Sequence, residues 1–297
     1  MKRLTLAILF SFVFAAGAGT QEMPADYKKV LDVLGRGGDY KAGVLKVNVP
    51  RGMQVQVAGI ALPMAFGFSG WVAFSKGDAG MDVMMGDLVL LEDEVNPVMS
   101  ALLENGIEVT ALHNHFFWEQ PRVFYMHVHG HGKAEELARE VKPALDMIPK
   151  TGTAPPAWTP GPGPGPAIDG GMISKIIGRP GEYLGAVWKI TIGRDDIGLK
   201  EMGATINARM GLNTWAAFYG TMEDAAVAGD VAMLEGEVTP VLKALRQNGL
   251  QVVAIHHHMI GTQPMVIFLH YWGRGPAEKL AEGFRAAIEK TKAAPKK

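Results

Sequence analysis

Apolar residues recur at helical spacing near the end of each half of the chain. Side chains three and four positions apart lie on one face of an α-helix, and such a stripe is buried against the rest of a domain. The two stripes are Ala134, Leu137, Ala138, Val141 and Leu145, and Ala277, Leu280, Ala281, Phe284 and Ile288. The pattern predicts two amphipathic helices that each cover a sheet.

Alternating apolar and polar residues predict a β-hairpin before each of these helices. A period of two places successive side chains on opposite faces of a strand. The first hairpin is predicted at residues 107–117 and 122–131, and the second at residues 250–258 and 265–272. Earlier apolar runs predict four more strands, at residues 43–49, 71–74, 187–192 and 215–218.

A short helix is predicted in front of each hairpin. Asn96-Pro97 and Thr239-Pro240 each combine a capping residue with a proline suited to the first helical position. The resulting order of strand, helix, strand, strand and helix is typical of α+β folds. We expect two repeated domains, each an antiparallel sheet with helices on one face, ferredoxin-like in part.

The two halves are versions of one unit. Three matched segments share an offset of 143 positions: LEDEVNPV at 91–98 and LEGEVTPV at 234–241, ALHNH at 111–115 and AIHHH at 254–258, and Gly-Asp at 86–87 and 229–230. Such an internal repeat indicates a duplicated domain.

A linker is predicted between the repeats. Residues 151–166 read TGTAPPAWTPGPGPGP, with six prolines and four glycines. Proline interrupts helices and interior strands, so this segment cannot belong to either repeat. We therefore expect a first repeat domain at residues 24–150 and a second at residues 167–293.

Residues 1–18 have the pattern of a secretory signal peptide. Lys2 and Arg3 precede an apolar run, and small residues lead up to Ala18. We expect cleavage near Ala18 and a periplasmic or secreted protein. The chain has no cysteine, which excludes thiolate ligands and a lipid-modified cysteine, so no membrane anchor is expected. With 29 basic and 30 acidic residues, no nucleic-acid partner is expected.

The histidines of the first hairpin share one face of the predicted sheet. His113 and His115 lie on one face of their strand, as do His127, His129 and His131 on the next strand. If the strands pair residues whose numbers sum to an even value near 240, the two faces coincide. Five imidazoles would then converge.

The second hairpin repeats part of this set. Because side chains alternate between the two faces of a strand, the same pairing rule places His256, His258 and His270 on one face and His257 on the opposite face. The three equivalent pairs are His113 and His256, His115 and His258, and His127 and His270. Since His129 and His131 occur only in the first half, we expect the stronger site there.

Imidazoles in this arrangement point to a transition-metal ion. Neutral imidazole binds zinc and copper, and cross-strand neighbours lie about 5 Å apart at Cβ. The sequence therefore predicts metal ligands, with zinc preferred to copper, at His113, His115, His127, His129, His131, His256, His258 and His270. The competing interpretation is a set of ordinary histidines that resemble one another through duplication alone.

Glutamates before each hairpin helix are a second candidate. Glu94 and its equivalent Glu237 could orient a ligand or act as general base toward a metal-bound water. Acidic residues are also favoured near a helix start by the helix dipole, so a structural role is the alternative.

The chain resembles the LppY/LpqO family of exported bacterial proteins. The LExEVxPV segments, the A-[LI]-H-x-H strands and the later hairpins carry the resemblance, which spans both halves. It implies export and a duplicated domain of unknown function. It supplies no catalytic residues, and the cysteine expected of its lipoprotein members is absent.

Three functions are consistent with these features. The first is an exported metal-binding protein that serves metal handling. The second is a metal-dependent hydrolase acting on a small-molecule substrate, with His113, His115 and His127 as ligands and Glu94 as base. The third is a pH-responsive interaction module. The sequence does not indicate the oligomeric state.

Overall fold

The computed structural model describes residues 21–149 and 168–292. The predicted signal peptide and linker lie outside these residues. The two described segments are copies of one arrangement, in which an antiparallel sheet carries helices on one face. The predicted α+β class and internal repeat are confirmed.

The first half is built around one large sheet. Its helices are α1 (Ala25–Leu34), α2 (Val95–Glu104) and α3 (Ala134–Met147). Its strands are β1 (Gly38–Lys41), β2 (Val44–Val49), β3 (Val55–Val57), β4 (Ile60–Leu62), β5 (Gly70–Lys76), β6 (Asp82–Leu91), β7 (Glu108–His113), β8 (Glu119–Gln120) and β9 (Val123–Gly132). The large sheet has the order β1-β2-β5-β6-β9-β7, and β4-β3-β8 form a small sheet.

The second half repeats the large sheet. Its helices are α4 (Gly170–Ile177), α5 (Glu235–Gln247) and α6 (Ala277–Ile288). Its strands are β10 (Glu182–Leu184), β11 (Val187–Gly193), β12 (Lys200–Glu201), β13 (Ala204–Thr205), β14 (Asn213–Gly220), β15 (Ala225–Leu234), β16 (Gln251–His256) and β17 (Val266–Gly275). The order is β10-β11-β14-β15-β17-β16, with β12 and β13 paired separately.

Each large sheet contains the connection predicted from sequence. Strands β6 and β7 are both antiparallel to β9, which lies between them, so α2 joins two parallel strands separated by a third. Strands β15, β16 and β17 repeat this with α5. This is the split βαβ unit of ferredoxin-like folds.

The helices before the hairpins begin earlier than predicted. Helix α2 begins before Asn96 and α5 begins before Thr239. In both, a glutamate side chain accepts a hydrogen bond from a backbone N–H three residues earlier, which belongs to the N-cap residue of α5 and to the last residue of β6 before α2. The two bonds, each 2.8 Å long, run from Leu91 N to Glu94 Oε2 and from Leu234 N to Glu237 Oε2.

The two faces of each large sheet differ in what covers them. One face packs under the helices of its own half and buries apolar side chains such as Val141 and Phe284. The opposite faces of the two sheets pack against each other, because two apolar clusters there combine residues of both halves. We call the helix-covered cores the outer layer and the contact between the sheets the inner layer.

Polar contacts also join the halves across the inner layer. Thr110 Oγ1 donates to the carbonyl of His258 at 2.7 Å, and Asp78 N–H donates to the carbonyl of Met202 at 2.8 Å. Within the described residues, no helix combines the length and apolarity needed to cross a membrane.

Candidate metal centre

The first hairpin has the parity predicted for its histidines. Ala111 pairs with His127 and His113 pairs with Tyr125, so the residue numbers of each pair add up to 238, an even value near the predicted 240. His113 and His127 therefore share a face of the sheet, and that face belongs to the inner layer. His115 lies two residues beyond the end of β7 and stacks on Tyr125, with ring centroids 3.2 Å apart.

A bulge separates this part of the hairpin from the rest. The register of β7 shifts between Val109 and Ala111, and the equivalent shift occurs in β16 between Val252 and Ala254. Bulges bend a strand and redirect its side chains. In the first half the bulge separates His127, which pairs with Ala111, from His129, which pairs with Glu108.

The same row of three side chains crosses both sheets. A tryptophan, an aspartate and a histidine are direct cross-strand neighbours in each, so they lie side by side on the inner layer. The rows are Trp71, Asp87 and His127 in the first sheet, and Trp215, Asp230 and His270 in the second.

Six histidines from the two halves form one cluster in the inner layer. His113 and its equivalent His256 stack on each other, with ring centroids 3.9 Å apart. Each remaining histidine lies against a histidine of the other half. These distances between ring centroids are 3.6 Å for His115 and His270, and 4.0 Å for His127 and His258.

The cluster has approximate two-fold symmetry. If the two halves are exchanged, the contact between His115 and His270 becomes the contact between His258 and His127. The sequence predicts a separate set of histidines on each hairpin, with the stronger site in the first half. It does not predict that the two sets face each other, because the alternation of side chains along a strand carries no information about how two domains dock.

Several groups in the cluster have the geometry of metal ligands. In each group, one nitrogen or oxygen atom per residue lies within 4.8 Å of the others. The groups are His113, His127 and His256; His113, His115 and His270; and Asp230, His256 and His258. All combine residues whose neutral imidazoles or carboxylates bind transition metals.

Many ring nitrogens of the cluster have no partner among the described residues. Both nitrogens of His113, His115 and His256 are buried without a hydrogen bond. A buried polar atom without a partner is costly, so such a set requires an explanation. A metal ion would use these lone pairs.

Two histidines are already oriented for ligation. The Nδ1 atom of His127 lies 3.3 Å from the carbonyl oxygen of Gly86, and that of His270 lies 3.1 Å from the carbonyl oxygen of Gly229. If each Nδ1–H donates there, the unpartnered Nε2 is left as the ligand atom. A Cβ at either glycine would collide with the neighbouring β-strand, so only glycine fits there.

All six histidines favour the neutral form. Burial lowers the pKa of each ring, and neighbouring imidazoles lower most of them further. The pKa of His258 falls to about 3, mainly through burial. Because only neutral imidazole has a free lone pair, the cluster is prepared for metal rather than for protons.

Two aspartates lie beside the cluster, and neither is among the site residues predicted from the sequence. Asp87 is half-buried, and burial together with the charge of Asp230 raises its pKa to about 8. Burial raises the pKa of Asp230 to about 6, and its Oδ2 lies 3.5 Å from His258 Nε2. The signal was available, since each aspartate follows a repeated glycine inside an otherwise apolar strand.

The structure does not bring His129 and His131 into the cluster. His129 lies between two glutamates, with Nε2 3.1 Å from Glu201 and Nδ1 3.3 Å from Glu108. His131 is exposed near the end of β9, and His257 is exposed as its parity predicts. The five-histidine convergence expected in the first half is therefore reduced to His113, His115 and His127.

The glutamates before the hairpin helices are bound to buried arginines. Glu94 pairs with Arg51 at 2.8 Å, and the equivalent Glu237 pairs with Arg194 at 3.0 Å. None of the metal-competent groups among the described residues includes Glu94. These contacts favour the structural role over the role of general base.

Comparisons with known proteins provide a family but no activity. The family model described as Domain of Unknown Function (DUF1259) matches residues 28–147 and again residues 171–290. No curated protein matches the chain.

Two solved structures show a distant likeness. One is the trimeric bacterial microcompartment shell protein PduB, with 11% identity, 86% of this chain and 91% of that chain covered, and a TM-score of 0.21. The other is EtuB from Clostridium kluyveri, with 8% identity, coverage of 87% and 96%, and a TM-score of 0.20. At these scores neither likeness supports an argument about fold, assembly or function.

Proposed function

Because the chain belongs to the family described as Domain of Unknown Function (DUF1259), a description that assigns no activity, we propose its function from the geometry of the site. The protein binds transition-metal ions at one composite centre between its two halves. The observation that carries this proposal is the six-histidine cluster, in which most of the ring nitrogens are buried without a hydrogen-bond partner among the described residues.

The symmetry of the cluster supports two equivalent ion sites. The first contains His113, His115 and His270, which are a metal-competent group. Exchanging the halves gives His256, His258 and His127, whose ring centroids are separated by 5.2, 5.3 and 4.0 Å, against 5.2, 5.1 and 3.6 Å in the first set. The metal-competent group on this side combines His256 and His258 with Asp230. Each site takes two histidines from one half and one from the other.

Zinc is the preferred ion and copper the alternative. Three imidazoles with an open position are a common zinc arrangement, and the chain offers no thiolate that would favour softer ions. Asp230 beside His256 and His258 provides a carboxylate for a fourth ligand or for orienting a ligand.

Elemental analysis of protein purified without a histidine tag tests the proposal. We expect about two zinc or copper ions per chain, one of them lost in His115→Gln, the other lost in His258→Gln, and both lost in the double variant. The matched control is the double variant His129→Gln and His131→Gln, which should keep both ions. Absence of stoichiometric metal would contradict the proposal, and a single ion kept in both single variants would contradict the two-site assignment.

Metal-assisted hydrolysis is a second candidate, favoured by a cavity of about 590 Å³ that borders His115, His258 and His270. The predicted base Glu94 is paired with Arg51, so this role would pass to Asp87 or Asp230. Zinc-dependent cleavage of a p-nitrophenyl ester, lost in His115→Gln, would support it. The pH-responsive module is not favoured, since burial lowers the pKa of all six histidines and disfavours their protonation.

Export and the closer family assignment also remain proposals. Periplasmic or secreted localisation depends on residues 1–18, which lie outside the described part of the chain. The LppY/LpqO assignment depends on the repeated motifs. A role in metal handling follows if the exported protein carries the ions proposed above.

A further inference from the structure

The cavity beside the histidine cluster has basic walls. It is lined from both halves, and the equivalent residues Lys46 and Lys189 contribute to it together with Arg209. Exposed residues such as Lys41 and Glu182 also line it, so it communicates with solvent. At about 590 Å³ it has room for a small organic molecule.

The two lysines are held in place by aromatic rings. Lys46 Nζ lies 4.2 Å from the ring centroid of Trp71, and Lys189 Nζ lies 4.5 Å from that of Trp215. These cation–π contacts occupy one side of each ammonium group. Both tryptophans belong to the cross-sheet rows that end in His127 and His270.

Neither ammonium group has an acceptor in the part of the chain that the structure describes. No carboxylate or carbonyl lies within hydrogen-bond or ion-pair distance of either one, whereas Arg209 is paired with Asp39 at 2.5 Å. Burial lowers the pKa of both lysines, and that of Lys46, at about 8, is lowered further by Lys189 and Arg209. Half-buried cations that repel one another are stabilised by an anion placed between them.

The acidic residues of the cavity do not fill this role. Asp87 and Asp230 lie in the rows beside the histidines, and Glu182 is exposed. Asp87 attracts Lys46, and Glu182 attracts Lys189 as its cross-strand neighbour, in both cases without a hydrogen bond. The donors of both ammonium groups therefore remain available to a ligand.

We propose that this cavity binds a small oxyanion, a carboxylate or phosphate group, between Lys46 and Lys189, with the rest of the ligand directed toward His115, His258 and His270. The proposal extends the proposed function, because an anion here would lie beside the ions held by the histidines. The lysine contacts themselves do not require metal.

Titration calorimetry with inorganic phosphate and with citrate tests this on zinc-loaded and metal-stripped protein. We expect saturable binding of at least one probe, weakened about tenfold or more in Lys46→Met and in Lys189→Met, because each loses a charge-assisted hydrogen bond. Lys28→Met, on the exposed side of α1, is the matched control and should bind as the wild type does. The two probes distinguish phosphate from carboxylate recognition.

The outcomes separate this proposal from that of the metal centre. Metal content measured on every variant should be unchanged, since neither lysine is a ligand. Binding of neither probe to either form, or binding unaffected by both substitutions, would overturn the anion site whatever the metal content. A readout without substitutions is acetylation by acetic anhydride, in which the bound probe should protect Lys46 and Lys189 but not Lys28, and equal labelling with and without probe would also overturn it.

Discussion

The outer and inner layers use the same two sheets in opposite ways. On the outer layer each sheet packs under its own helices, and the buried side chains, such as Val141 and Phe284, are apolar. On the inner layer the sheets enclose histidines, aspartates and two half-buried lysines between them. Each outer core is completed within one repeat, whereas the histidine cluster exists only when both repeats are docked.

The difference shows what duplication provides. A residue of the outer layer has a copy that lies far away in the other half, so duplication merely repeats a core. A residue near the two-fold axis of the inner layer meets its own copy, as His113 meets His256 with ring centroids 3.9 Å apart. Three histidines per repeat thus become a six-histidine centre without any further motif.

The largest effect is expected from the outer layer. Phe284→Ala removes a fully buried ring of α6 and should lower the free energy of unfolding by about 3–5 kcal/mol, measured by urea denaturation. Val141→Ala, at the equivalent position of α3, should lower it less because fewer atoms are lost. Both folded variants should keep the metal content of the wild type. Loss of metal from either would contradict the view that the outer cores and the metal centre are independent of each other.

Next comes the ion pair that anchors a hairpin helix. Glu94→Gln leaves the buried guanidinium of Arg51 without its carboxylate and should cost about 3 kcal/mol of unfolding free energy. The control is Glu92→Gln, two residues earlier and exposed. Because we assign Glu94 a structural role, metal content should be unchanged, and a stable variant that lost only metal or activity would restore it as a functional residue.

Metal removal tests the inner layer itself. At a free zinc concentration about a hundred times the dissociation constant, each of the two proposed ions stabilises the native state by about 2.7 kcal/mol. Dialysis against a chelator should therefore lower the melting temperature by about 10 °C for a protein of this size, as followed by calorimetry. The double variant His115→Gln and His258→Gln should melt at the same temperature with and without chelator, and a chelator effect that persisted there would locate the ions elsewhere.

The sequence predicts what is local in this fold and misses what is distant. Apolar residues that recur every two positions indicate the hairpins, and those that recur every three to four positions indicate the outer helices. The internal repeat identifies the equivalent histidines from the sequence alone. The faces of His113 and His127 follow from the same parity. The docking of two domains across a proline-rich segment has no periodicity, so the composite nature of the centre could not be predicted.

Single residues were missed for related reasons. Asp87 and Asp230 stand out only as acidic residues within apolar strands, which alone does not distinguish a buried site from a strand edge. Lys46 and Lys189 are ordinary strand lysines until both halves enclose them. Conversely, His129 and His131 satisfy the parity rule, but a bulge and their distance along β9 separate them from the cluster.

The smallest effect is expected at the position equivalent to His131. There the second half has Arg274, which pairs with Asp224 at 2.7 Å on the exposed surface. The hydrogen bonds from Arg274 lower the pKa of Asp224, so any stabilisation is present above the ordinary pKa of an aspartate and is lost as the pH falls through the lowered value. Since solvent screens the pair, Asp224→Asn should cost less than about 1 kcal/mol at pH 7 and less still at pH 2, measured by denaturation at both pH values.

His131→Ala should leave both stability and metal content unchanged, because this position faces solvent in both halves. If His131→Ala lost metal, the metal centre would have to extend along β9 as far as this exposed position, and the inner layer would not be separate from the surface.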